Sequence, residues 1–218
     1  MAQPRQGAPT GFGTRTRGAL LLADISGYTG FLQGVADAHR DLVIEAEEPP
    51  AAYALMSSLL DGIVTKLEPR FHLRKLEGDA VFATSVDAEN AVQGAELLDC
   101  LRACHAGFEE RLASALSTWT CRCGSCSRVN TLGLKFVLHH GDFVVQRIAG
   151  SEELLGPDVN IVHRLLKNHA YEVIGPRPYA LISDAAMDAL AVPPDGMTAI
   201  TETYEQIPTI SAHLLPLG

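Results

Sequence analysis

The stretch that decides the fold is LLLADISGYTGFL, Leu20–Leu32. Leu20 to Ala23 read as a strand buried on both sides, because an unbroken apolar run leaves no face for water. The run then meets a carboxylate at Asp24, followed by a turn of small polar residues. A strand that ends on an acid has two explanations. Asp24 or Ser26 can cap the next helix by accepting from its free N–H groups. Alternatively, Asp24 is a metal ligand held at the carboxyl end of a strand. What the rest of the chain brings to that strand end decides between them.

Working outward, residues 19–25 predict a strand and residues 28–37 a short helix. LVIEAEEPP is a connection whose Pro49–Pro50 suits a helix start. From Ala51 to Leu67, apolar residues at 55, 59, 60, 63, 64 and 67 have helical spacing. Arg70 to Ser85 predicts a hairpin turning at Gly78–Asp79. Residues 87–116 predict a long amphipathic helix, with Ala91, Ala95, Leu98, Leu101 and Phe108 on one face. CRCGSC is a loop. Leu132–His140 and Phe143–Ile148 predict a second hairpin, turning at the HGD of residues 140–142. A helix over 157–169, a strand at YALIS, a short helix over 185–190 and a strand or hairpin over Thr201–Leu214 complete the chain. This order predicts an α+β fold with a ferredoxin-like βαββαβ core, helices on one face and extra C-terminal strands. Residues 19–218 form one domain in this reading, and residues 1–18, rich in Gly and Pro, form a flexible arm.

Composition narrows the function. The chain has 218 residues, 47% of them hydrophobic, and 17 basic against 26 acidic residues give a net charge of −9. That balance disfavours a general nucleic-acid binder, whose affinity rests on neutralising phosphates. No apolar run approaches the roughly 20 residues that span a bilayer. The N-terminal segment lacks the apolar stretch of a secretory signal. The expectation is a cytoplasmic protein with no membrane partner. GFGTRTRG, residues 11–18, precedes the first strand and does not have the G-x-G-x-x-G spacing of a phosphate loop.

A ferredoxin-like core sets the first strand beside the hairpin, which brings Asp24 and Asp79 to adjacent strand ends. Two such carboxylates suit hard divalent ions such as Mg²⁺, which keep open positions for phosphate oxygens. Four segments then occur in order: ADISGYTGF, KLEGDAVFA, HHGD and LLGPDVNIVHRL. Together they resemble the class III nucleotidyl (adenylate/guanylate) cyclase catalytic domain, and the cysteine loop is similar to that of a small bacterial cyclase-like branch. The resemblance covers about residues 19–215.

It implies a metal-dependent enzyme that converts ATP to cyclic AMP and pyrophosphate with two Mg²⁺ or Mn²⁺ per site. By the same resemblance, Asp24 and Asp79 are metal ligands, and Ile25 adds its backbone carbonyl. Lys75 and Glu153 read the base, with Glu153 where adenylyl cyclases usually carry an aspartate. Asn160 positions the ribose, and Arg164, one helical turn on, stabilises charge on the transferring phosphate. Sites of this family are shared between subunits, which implies a homodimer with two equivalent sites. The C-terminal segment TYEQIPTISAHLLPLG has no Lys or Arg where many cyclases hold the triphosphate, and Arg177 or Arg147 are the substitutes. A second class of function stays open: a catalytically silent nucleotide-binding regulator of the same fold, or a cyclase acting on another nucleoside triphosphate.

Cys121, Cys123 and Cys126 form C-x-C-x2-C, and Cys100 and Cys104 lie one helical turn apart just upstream. In a reducing compartment such clusters bind metal more often than they form disulfides. A structural zinc needs four ligands. The three loop thiolates with Cys104 or His105 would supply them and pin the loop to the helix. His139 and His140 are expected to be structural, and Trp119 to be core.

Overall fold

A computed structural model describes residues 13–40, 51–89, 93–121 and 123–218. The first twelve residues of the expected arm, the connection before Pro50 and Ala91 lie outside the described residues. The elements in order are β1 (Thr14–Ser26), α1 (Tyr28–Ala38), α2 (Ala51–Leu67), β2 (His72–Glu77), β3 (Ala80–Val86) and α3 (Gly94–Thr118). A 3₁₀ turn (Cys126–Thr131) leads to β4 (Gly133–Ile148), β5 (Ser151–Leu155), α4 (Pro157–Leu165) and α5 (Ala170–Ile174). β6 (Tyr179–Ser183), α6 (Asp184–Ala189), β7 (Thr198–Glu202) and β8 (Ile210–Pro216) follow. The strands form one eight-stranded sheet ordered β2-β3-β1-β4-β6-β8-β7, with β5 attached to β4 off that path.

β1 is antiparallel to both of its neighbours, β3 and β4. Its apolar run therefore splits by the two-residue period of a strand. Leu21, Ala23 and Ile25 join Phe31, Leu59, Leu101 and Phe136 in a core under α1, α2 and α3. Leu20 and Leu22 join Phe82, Phe143, Val162 and Leu165 in a second core under α4 and α5 on the opposite side. The expectation of helices on one face is thus corrected. The unbroken run Ala19–Ala23 is fully buried because both faces are covered. Each buried leucine there contributes about 1.5–3 kcal/mol of transfer free energy.

Three further expectations are corrected. β1 begins at Thr14, so residues 14–18 of the expected arm are strand, held by antiparallel pairing with residues 141–145 of β4. The predicted helix over 157–169 stops at Leu165. Asn168 ends it by donating to Leu165 O at 2.7 Å and starts α5 by accepting from Ala170 N–H at 3.0 Å.

The third correction concerns the second hairpin. β4 runs unbroken through HGD for 16 residues, and the chain reverses instead at Ala149–Gly150, both at positive φ. Gly141 serves close packing and not a turn, because a Cβ there would fall inside the Asp158 carboxyl group. That carboxylate accepts from Asp142 N–H at 2.7 Å and lies 3.3 Å from His139 Nε2, so it joins β4 to the start of α4. His139 Nδ1 also meets Ser183 Oγ at 2.8 Å, and His140 Nε2 meets Asp87 at 2.9 Å. Both histidines are buried.

Candidate functional site

The end of β1 answers the question its sequence raises. The N-cap of α1 is Gly27, left-handed at φ 83°, and it has no side-chain capping bond. Ser26 instead accepts from the Tyr171 hydroxyl at 3.2 Å. Asp24 therefore does not cap the helix. It lies opposite Ala80 on β3 and Lys135 on β4. Lys135 Nζ sits 3.1 Å from Asp24 Oδ2, with both side chains more than four-fifths buried.

Asp79 is brought to the same place by the β2–β3 turn. Gly78 takes φ 69° there, and Ile25 N–H donates to Asp79 O at 3.2 Å. Burial first, then the charge of Asp24, push the Asp79 carboxyl above its ordinary value, while its own backbone N–H and Lys135 pull the other way. The Tyr28 phenol at the start of α1 is also pushed up, by burial and then by Asp79, which sets it within electrostatic range of the same carboxylate. The Ile25 side chain is fully buried in the core and carries no ligand atom, so its backbone carbonyl is what it could offer a cation. Two carboxylates of like charge, Asp24 largely buried and Asp79 partly so, with the Ile25 backbone oxygen next in the chain, are a donor set that fits a hard divalent ion. Lys135 is the local competitor for that place.

Lys75 and Glu153 meet. Lys75 Nζ lies 3.3 Å from both oxygens of Glu153, although 78 residues separate them in the chain. β5 makes this contact, a strand that the sequence reading did not resolve. Beside it, Arg74 pairs with Glu152 at 3.6 Å and donates to Thr84 Oγ1 at 2.7 Å. The pair borders a cleft of about 50 Å³ lined also by Glu77, Phe82, Val159 and His163. His163 stacks obliquely on Phe82 with ring centres 5.1 Å apart and reaches Glu77 at 3.5 Å. His163 stands inside the quoted HRL segment, and its side-chain partners depend on pairings that spacing does not reveal.

On α4, Val159, Val162 and Leu165 are buried, which turns Asn160 and Arg164 outward together. Neither side chain bonds to another described residue. The 3.6-residue period explains the shared face. A larger cleft of about 610 Å³ is lined by Ser26, Lys135, Tyr171 and Arg177, among others. Arg177 thus shares a cleft with the lysine that pairs with Asp24. Arg147 lies elsewhere, opposite Glu152 on the β4–β5 hairpin.

The cysteine loop also departs from expectation in its fourth member. Cys121, Cys123 and Cys126 gather around His39, which follows α1, and the four candidate ligand atoms all lie within 4.8 Å of one another. Cys104 and His105 are not part of this group. Cys104 is buried in the seam between α2 and α3 with its thiol 3.9 Å from Ile63 O, and burial pushes that thiol up to about 12. His105 faces Glu109 on its own helix at 3.6 Å. Cys100 likewise points at Lys66 O, at 3.9 Å. The helix-packing surface claims these side chains before the loop can. Cys126 N–H donates to Cys123 Sγ at 3.3 Å, the first cause of a Cys123 thiol held down to about 6.

The fold with its long helices over one face and the α4–α5 layer over the other is that of class III cyclase domains. The adenylyl cyclase CyaB from P. aeruginosa superposes with a TM-score of 0.63 at 14% identity, over 94% of this chain and 96% of that one. The guanylyl cyclase Cya2 gives 0.61 at 13% identity, over 94% and 95%. A bacterial light-regulated adenylyl cyclase gives 0.58 at 14% identity, over 92% and 90%. In sequence, residues 56–173 match the family described as "Protein of unknown function (DUF2652)", and the chain belongs to that family. It is also 29% identical over 164 residues to "Uncharacterized protein Rv2561/Rv2562" of Mycobacterium tuberculosis, covering 75% of this chain and 74% of that protein.

Proposed function

We propose that this protein is a metal-dependent nucleotidyl cyclase that converts ATP to cyclic AMP and pyrophosphate at sites shared across a homodimer. The observation that carries the reading is the contact between Lys75 and Glu153 on a cyclase-type fold. A cation and a carboxylate held side by side offer a donor and an acceptor, which the ring nitrogen and amino group of adenine require.

In this reading Asp24 and Asp79, with the Ile25 carbonyl, hold Mg²⁺ or Mn²⁺. When bound, these ions lower the pKa of the ribose 3′-hydroxyl and offset charge on the leaving pyrophosphate. The 3′-oxygen forms a bond to the α-phosphorus as the bond from that phosphorus to the β-phosphate bridging oxygen breaks. The hydroxyl proton goes to solvent. Asn160 orients the ribose, and Arg164 stabilises charge that grows as the bridging bond breaks. Lys75 and Glu153 part from each other to engage the base. The free N–H groups at the start of α1, just past Asp24 in the chain, would suit a triphosphate. Arg177, sharing a cleft with Lys135, supplies the cation that the C-terminal strand lacks. Asn160 and Arg164 lie outward and without described partners, which suits a role toward the carboxylates of a second subunit.

A second reading has its own support. Lys135 already neutralises Asp24 at 3.1 Å, as it would in a nucleotide-binding regulator that has lost turnover. One assay separates the two. The full chain is incubated with ATP, GTP, CTP or UTP and Mn²⁺, and cyclic nucleotide and pyrophosphate are measured, with Asp24→Ala as control. Product from ATP in wild type and none in the variant supports the cyclase. Nucleotide binding without product from any of the four, in folded dimeric protein, supports the regulator.

A further inference from the structure

His39, Cys121, Cys123 and Cys126 come from two segments 82 residues apart at their closest, yet their ligand atoms converge on one point. His39 Nε2 lies 3.3 Å from Cys126 Sγ, 3.4 Å from Cys123 Sγ and 3.6 Å from Cys121 Sγ. Hydrogen bonding does not account for this. A neutral imidazole nitrogen either donates one proton or accepts one, so it can satisfy one of three thiols and not all of them. The distances match a different geometry. A tetrahedral zinc with Zn–S of about 2.3 Å and Zn–N of about 2.0 Å has nitrogen-to-sulfur edges of about 3.5 Å. The three observed separations bracket that edge. Cys126 N–H donating to Cys123 Sγ at 3.3 Å supports a thiolate at that position.

We infer that these four residues form a closed Cys₃His site for Zn²⁺ that clamps the end of α1 to the loop entering β4. Three sulfurs and one imidazole complete a four-coordinate shell, which leaves no open position for substrate and makes the site structural. The surrounding backbone is built for the clamp. A Cβ on Gly34 of α1 would come within 3.0 Å of Ser125 Oγ, and one on Gly27 within 3.2 Å of Thr131 O. α1 therefore lies directly against the segment that carries the thiols. That segment continues into β4, which bears Lys135, and α1 begins just after Asp24. The metal ties together the two chain segments on either side of the acidic site. Zinc binding here is independent of turnover at the acidic site.

The test uses the full chain purified without chelators, with metal content measured by plasma mass spectrometry. About one zinc per chain is expected, falling at least tenfold in His39→Ala and Cys121→Ser and unchanged in Cys104→Ser. His39→Cys, which keeps a fourth soft donor, should retain zinc. Wild type refolded with Co²⁺ should show thiolate charge-transfer absorption and the intense visible bands of a tetrahedral ion. This arm needs no variant to fold. Less than a tenth of a zinc per chain, an octahedral cobalt spectrum, undiminished zinc in His39→Ala, or loss of zinc in Cys104→Ser would each overturn the site.

Discussion

Helix α1 carries a different candidate cation site at each end, and the two differ in every property that decides what a cation can do there. At its start stand Asp24 and Asp79, oxygen donors at the rim of the sheet, with a lysine already in contact. At its far end stand His39 and three cysteines, nitrogen and sulfur donors facing inward on one another. Oxygen donors with open positions suit ions that exchange and meet phosphates. A complete soft-donor shell suits an ion that stays. In the proposed reading, one short helix separates a place for chemistry from a place for structure, and fixing the second would help to hold the first.

Variants at either end of α1 test this contrast. The largest effect is expected at the acidic site: Asp24→Ala should lower cyclic nucleotide production by about 10³-fold or more, since divalent ions there would supply several kcal/mol of transition-state stabilisation. Bound zinc should stay unchanged in that variant, and a variant that lost both would show that the sites are not separate. Next in size, Arg164→Ala should reduce kcat by about 10²-fold with KM moved less than about threefold, as for a group that acts on developing charge. A rise in KM alone would reassign Arg164 to binding.

At the sulfur end, His39→Ala should leave Mn²⁺ and nucleotide binding measurable but cost about 2–4 kcal/mol of stability, a drop of roughly 5–15 °C in Tm for a chain of this size. An unchanged melting temperature would remove the clamp. The smallest effect sharpens the electrostatics of Asp79. Its carboxyl binds a proton more tightly in the folded state than in the unfolded one. Stability of the metal-free protein therefore falls as pH rises from the ordinary carboxylate range through the raised folded value. Asp79→Asn should then raise Tm at pH 7 by no more than about 2–4 °C, under about 1 kcal/mol, because the site is partly open to solvent. The gain should shrink as pH falls toward 4. A Tm lowered by several degrees would show that the carboxylate is structurally required.

Where local pattern alone decides, the sequence was legible. The apolar run of β1, the Gly-Asp hairpin and the helix Ala51–Leu67 need no information from elsewhere in the chain, and the structure has them where the pattern puts them. The sites were only partly legible. Lys75 and Glu153 were named from the resemblance, but their contact runs through β5, a strand absent from the sequence reading. Lys135 was missed because only the β1–β4 register sets it against Asp24. His39 was missed because nothing in ADAHR marks a ligand. Its partners lie in a distant loop, whereas Cys104 and His105 were near in sequence and were taken by helix packing. HGD was misread because glycine has two uses: to turn a chain, and to make room for a neighbour.

The second use couples position 141 to a residue on another element. The Asp158 carboxylate fills the space that a side chain at position 141 would need, and it holds Asp142 N–H in the same grip. The residue types at 141 and 158 are therefore physically coupled. A chain that gained a side chain at the first while keeping the acid at the second would have to shift its backbone. A chain that lost the acid while keeping the glycine would leave a hole and an amide without its acceptor. Glycine at 141 and the acid at 158, 17 residues apart, are together the physical signature of this strand-to-helix join, which a histidine-glycine pair alone does not carry.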